Sequence, residues 1–233
     1  MFVNQGIRAL RQYQRNAPNE SRSMILFSKG YTDEQIEAIR NSVESYSGVL
    51  VLVNNVDEMF NYINSPQRES DKILNMEIYS HGFSGSIEFG YKFENNDALW
   101  LDKSNADQLK GSSFQKGASI ISYACRTALG NNSSVFTFSR DIDNSLAQKM
   151  ANSAKVDVFA YASRTSYEGT LGSVLDRHPF ASTFMPVGVN PIPIPETKII
   201  SGAAFTSHGA NRGVTAGATP FEGGILIQQV KPQ

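Results

Sequence analysis

Three short apolar runs, separated by segments patterned as helices, constrain this chain more than any other feature. Met24 to Ser28, Val49 to Val53 and Ile73 to Tyr79 are each of strand length, and the second is the β-branched run Val-Leu-Val-Leu-Val. Such runs are typical of central strands in a parallel sheet. Between the first two, Thr32 or Asp33 caps a helix in which Ile36, Ile39 and Val43 recur at three- and four-residue spacing, with Gly48 closing it. Between the second and third, a short helix around Val56, Met59, Phe60 and Ile63 is stopped by Ser65-Pro66.

The alternation continues downstream. A brief strand is expected from Ser86 to Tyr91, then a turn-rich Asn95-Asn96-Asp97 and a helical stretch from Ala106 to Leu109. Ala118 to Ala124 is another buried strand. A polar loop from Gly130 to Asp143 precedes a helix at Ser145 to Ala154 and a strand at Val156 to Ala162. From Arg164 onward Gly, Pro, Ser and Thr dominate, with strand-like pieces at Thr197 to Phe205 and Gly224 to Val230. Strands alternating with helices predict an α/β domain on a mainly parallel central sheet flanked by helices on both faces. No internal repeat or sharp composition break divides residues 23–233, so they are expected to form one domain. Residues 1–22 are polar and are expected to form a tail or a peripheral helix.

Composition narrows the function classes. With 233 residues, 40 % of them hydrophobic, the chain can bury a real core. Lys and Arg number 21 against 22 Asp and Glu, a formal net charge of −1, which argues against general binding to nucleic acid or to an acidic membrane. No apolar run approaches the roughly 18 residues of a membrane-spanning helix. The N-terminus carries Arg8, Arg11 and Arg15 without an apolar core, so no signal peptide is visible. The single cysteine excludes an intrachain disulfide and a four-cysteine zinc site, and no metal or other cofactor is expected.

That cysteine, Cys125, and His81 each stand just beyond the end of an expected apolar strand. In open α/β sheets the carboxyl ends of the strands border the crevice where functional groups gather. If the two strands are parallel neighbours, thiol and imidazole emerge on one sheet edge, as a nucleophile and its general base require. Pairing with an imidazolium lowers a thiol pKa and produces the reactive thiolate. Gly82 lets the backbone turn and a substrate carbonyl approach. Its N–H and that of Cys125 are candidate donors to an oxyanion. The alternative for a lone cysteine is a small buried hydrophobe. His208, in a second Ser-His-Gly, competes with His81 as base, although a cysteine-before-histidine order suits nucleophiles at a helix start, and Cys125 ends a strand.

Glu77-Ile78-Tyr79-Ser80-His81-Gly82, followed by Ile120-Ile121-Ser122-Tyr123-Ala124-Cys125-Arg126, resembles the paired signature of the caspase-like (clan CD) cysteine peptidases. The stretch from Ser80 to about Gly172 is further similar to two bacterial relatives of that group. One is the self-cleaving cysteine protease domain of large secreted toxins; the other is a caspase-like domain at the head of large surface proteins. Shared features are Ser-His-Gly, the hairpin from Gly85 to Gly90, the helix at Ala106 to Leu109, the cysteine strand, and the Leu146-Ala147-Gln148 helix leading to Val156 to Ala162.

The resemblance implies a three-layer caspase-like fold and an endopeptidase with a His81–Cys125 dyad acting on a protein or peptide. It also implies an oxyanion hole at Gly82 and Cys125. Substrate contacts are implied at Arg126 and at Ser163, Arg164 and Thr165, the last three ending a strand that lines the first specificity pocket in this fold. A structural ion-pair role for Arg126 and a plain surface role for Arg164 stand beside those readings. Tyr123 replaces the Gln of caspases, which removes the ground for assuming their aspartate pocket.

The loop containing Arg140-Asp141-Ile142-Asp143 corresponds to a place often cut during activation, which suggests self-processing. Lys149, Lys155, Arg164, Arg177, Lys198 and Arg212 are candidates for a basic cleft that binds a small anionic activator such as inositol hexakisphosphate, as in some toxin domains. The setting implied is a bacterial effector or toxin, cytoplasmic or exported by a specialised machine. Two other readings remain: a catalytically silent recognition or scaffold module of the same fold, and an esterase of the α/β-hydrolase type using His81-Gly82 as its oxyanion loop. The second lacks the Gly-x-Ser-x-Gly elbow that such enzymes need.

Overall fold

A computed structural model describes residues 2–90, 97–130, 141–161 and 227–230. They fall into two units, one within Met1–Asn54 and one that combines Asn55–Ser166 with the C-terminal strand. The first begins with helix α1 (Phe2–Asn16), whose Val3, Ile7 and Leu10 are buried at helical spacing. The polar N-terminal segment is therefore a helix, packed through one apolar stripe.

Strands β1 (Ser23–Phe27) and β2 (Val49–Val53) pair in parallel, from Ser23 with Val49 to Phe27 with Val53. Helix α2 (Asp33–Ser45) joins them. Thr32 caps it reciprocally: its side chain accepts from the Gln35 N–H while the Gln35 side chain accepts from the Thr32 N–H. The left-handed residue at the far end is Ser47, with φ 55°, and not Gly48. Gly48 serves close packing instead, since a Cβ there would stand 2.9 Å from Val43 Cγ1. Ile39, Val43, Leu26 and Leu50 join the α1 stripe in one apolar cluster. The β-branched run of β2 reads as a central strand, yet among the described residues β2 pairs only with β1, and Val49 is 60 % exposed.

The second unit starts with α3 (Val56–Ile63), capped by the Asn55 side chain on the Glu58 N–H, and a 3-10 turn at Pro66–Glu69. Next comes β3 (Ile73–Ile78), then a three-stranded antiparallel meander of β4 (His81–Phe83), β5 (Ser86–Glu88) and β6 (Trp100–Asp102). Single 3-10 turns at Ala106–Gln108 and Gly111–Ser113 replace the expected helix. After β7 (Phe114–Ser122) come α4 (Leu146–Ala154), capped by Ser145, then β8 (Asp157–Tyr161) and β9 (Ile227–Val230).

The main sheet has the order β3-β7-β8-β9, parallel through β8 and antiparallel at β9. The chain is thus α/β with a mainly parallel sheet. Ile120, Val158, Leu146 and Met150 are fully buried, each contributing roughly 1.5–3 kcal/mol of burial. Among the described residues no helix is long and apolar enough to cross a membrane.

The β3–β7 register bears directly on function. Ile73 faces Phe114, but Asn75 faces Ser119, so β7 accommodates extra residues near Gly117. Gly117 lies at φ +83°, a backbone conformation that other residues rarely adopt. From there the pairing is regular, ending with Ile78 opposite Ser122.

Candidate active site at the ends of two paired strands

His81 and Cys125 follow the ends of β3 and β7, which are parallel neighbours. The paired residues Ile78 and Ser122 are 44 positions apart, and so are His81 and Cys125, so each stands three residues past the last paired residue of its strand. The intervening residues keep that register. Tyr123 N–H donates to the Ile78 carbonyl at 2.9 Å, and Tyr79 and Tyr123 stack with centroids 4.8 Å apart and planes within 3°. The Tyr79 hydroxyl donates to the Glu77 carboxylate.

Gly82 packs against the cysteine turn. A Cβ on Gly82 would stand 2.5 Å from the Cys125 carbonyl oxygen, 2.9 Å from the Cys125 nitrogen and 2.8 Å from Ala124 Cβ. Only glycine allows β4 to lie so close. The two-residue loop Ser84-Gly85 makes Phe83 and Ser86 the hydrogen-bonded closing pair. Gly82 with Ile87 is then a non-hydrogen-bonded pair, so the Gly82 N–H points away from β5. The hairpin tip is fastened across to the same turn, where Ser84 Oγ donates to the carbonyls of Leu129 at 3.0 Å and Gly130 at 3.3 Å.

Cys125 is half-buried on a tight turn rather than inside the core. Arg126 adopts φ +59°, the left-handed region, in which a side chain costs about 1–2 kcal/mol. The surroundings hold this conformation. Buried Thr127 donates its hydroxyl to the Ala124 carbonyl at 2.8 Å and shares a 3.0 Å hydrogen bond with Ser122. The Thr127 carbonyl accepts from Ala147 N–H in the first turn of α4, and Ala128 N–H donates to the Tyr161 carbonyl at the end of β8.

The meander has two different faces. Ile87 and Leu101 are fully buried on the face shared with Gly82. On the other face His81 lies opposite Glu88, and Glu88 opposite Trp100. His81 is exposed, yet partial desolvation holds its pKa below the ordinary imidazole value of 6.5. Burial pushes the Glu88 carboxyl above its ordinary 4.5.

The residues named from sequence therefore divide. His81, Gly82, Cys125 and Arg126 come together at one place. Ser163, Arg164 and Thr165 lie outside the described residues, as do His208, Arg140, Arg177, Lys198 and Arg212. Lys149 and Lys155 are exposed on α4 and at its C-terminal cap. Among the described residues no group of His, Cys, Asp and Glu is arranged to hold a metal ion. Sequence reasoning missed Ser84 and Thr127, which fasten the turn, and Glu88, which faces the histidine. The Ser84-Gly85 pair between two short runs was the available signal for the hairpin.

Residues 31–166, more than half of the chain, match the family described as a domain of unknown function, DUF4347, and the chain belongs to that family. No curated protein and no solved structure matches it.

Proposed function

We propose that this domain is a caspase-like cysteine endopeptidase whose nucleophile is Cys125 and whose general base is His81. The observation that carries the reading is Gly82 fitted against the Cys125 peptide, with His81 and Cys125 each three residues past the last pair of adjacent parallel strands. A parallel sheet with the nucleophile on a tight turn at its carboxyl edge is also what a three-layer caspase-like arrangement requires.

In the reaction so assigned, His81 takes the proton from the Cys125 thiol. A depressed imidazole pKa suits that role, because the ring is neutral and basic near pH 7. The sulfur attacks the scissile carbonyl carbon, and the oxyanion accepts hydrogen bonds from the N–H groups of Gly82 and Cys125. Collapse breaks the C–N bond, and the His81 imidazolium protonates the departing amine. Water, deprotonated by His81, then hydrolyses the thioester and returns the thiol. Arg126 stands beside the nucleophile as a substrate-contacting residue.

Labelling with an iodoacetamide probe tests the reading, with intact mass followed for self-cleavage. Wild-type labelling that disappears in Cys125→Ala and slows about a hundredfold in His81→Ala is expected. Equal labelling of wild type and His81→Ala, with no cleavage, would instead make this a silent module of the same architecture.

A further inference from the structure

We propose that Glu88 is a positioning residue for His81, holding the imidazole across the β4–β5 hairpin and favouring its protonated form as the proton leaves Cys125. This rests on reading His81 and Cys125 as the dyad, and it assigns the acidic partner that the sequence alone left open.

The placement is direct. His81 and Glu88 are opposite residues on adjacent antiparallel strands, so their side chains leave the same face of the meander. Counting from the Phe83–Ser86 closing pair, they form a hydrogen-bonded pair, with Cα atoms about 5.5 Å apart. Ser80 fixes the register at this point, since its buried hydroxyl donates to the Glu88 carbonyl at 2.7 Å. Trp100 follows Glu88 on the next strand, giving a row of imidazole, carboxyl and indole. The opposite face of the meander is filled by Ile87 and Leu101, so neither side chain of the pair has a way through the sheet.

Charge completes the argument. Among the described residues Glu88 makes no salt bridge to a Lys or Arg, so its carboxylate is not committed to one there. Both groups of the pair are partly desolvated, which strengthens their interaction relative to bulk water. Among the described residues, the other ionisable groups near this end of the unit include Cys125 and Arg126 on the turn after β7, Asp102 one row further along β6, and Asp141 beside Gly130, whose carboxylate accepts from the Asn144 side chain. Asp102 is occupied, because its carboxylate accepts from both the N–H and the hydroxyl of Ser104. Glu88 is therefore the group placed to offset burial when His81 takes up a proton.

The test is an NMR titration of the three histidine side chains in the full chain, read for wild type, Glu88→Gln and Glu88→Asp. Glu88→Gln should lower the His81 value by about half a unit to one unit, and Glu88→Asp should retain most of it. Wild type alone supplies a second readout: raising salt from about 0.02 to 0.5 M should screen the carboxylate and lower the His81 value. Unchanged His81 titration in Glu88→Gln, or in high salt should that variant not fold, overturns the assignment. Neither readout needs peptidase activity. An inert Cys125 with a His81 titration coupled to Glu88 would refute the peptidase reading while leaving the pair intact.

Discussion

Gly82 lies so close to Cys125 that a single added methyl would stand 2.5 Å from the Cys125 carbonyl oxygen. The atoms it would meet are the Cys125 backbone and the Ala124 Cβ rather than the end of a flexible side chain, so relief requires the nucleophile's own peptide to move. Gly82→Ala should cost about 1–3 kcal/mol of stability and displace the thiol from the base. Denaturant unfolding measures the first effect and iodoacetamide labelling the second. Retained labelling with unchanged stability would mean that β4 does not set the position of Cys125.

Thr127 holds the turn from below. Its hydroxyl is fully buried and bonded to both the Ala124 carbonyl and the Ser122 hydroxyl. Thr127→Val keeps the shape and leaves those two groups short of a partner, which should cost about 1–3 kcal/mol in urea unfolding. Ser122→Ala in the same background should add less than it does alone, because the two residues share one hydrogen bond.

These contacts separate what the sequence discloses from what it conceals. Apolar runs such as Val49 to Val53 and the Ile36, Ile39, Val43 spacing carry their own periodicity, so the strands and helices of the α/β pattern can be read directly. The strand-end positions of His81 and Cys125 follow from the same runs. The three-residue strands β4 and β6 do not, since a segment like His81–Phe83 is too short to show a period and is stabilised by its partners. The pairing of His81 with Glu88 depends on the Ser84-Gly85 turn, and the level of Cys125 depends on the β7 irregularity at Gly117. Both are register effects, which composition and spacing along one strand do not reveal.

Arg126 allows backbone strain to be separated from chemical role. At φ +59° a glycine is relieved of the Cβ clash that arginine or alanine bears. Arg126→Gly should therefore be more stable than Arg126→Ala by about 1 kcal/mol in urea unfolding. If the guanidinium contacts substrate, both variants should lose peptide cleavage to the same degree while labelling of Cys125 stays near wild type. Cleavage that follows stability instead would mark Arg126 as a structural residue.

The pH dependence of stability has a definite sign. Burial depresses the folded-state pKa of His81 below 6.5, so the unfolded chain binds this proton first as the pH falls. Stability linked to His81 is complete above 6.5 and is lost as the pH drops from there through the depressed value. Glu88 acts in the opposite sense: its carboxyl is raised above 4.5, so the folded chain binds that proton first and recovers stability as the pH falls through the raised value. Unfolding of wild type and His81→Gln in urea, compared between about pH 7.5 and 5.5, isolates the first effect. Wild type should lose stability relative to the variant across that interval. Parallel curves would mean that His81 titrates alike in the folded and unfolded chains and that burial does not depress it.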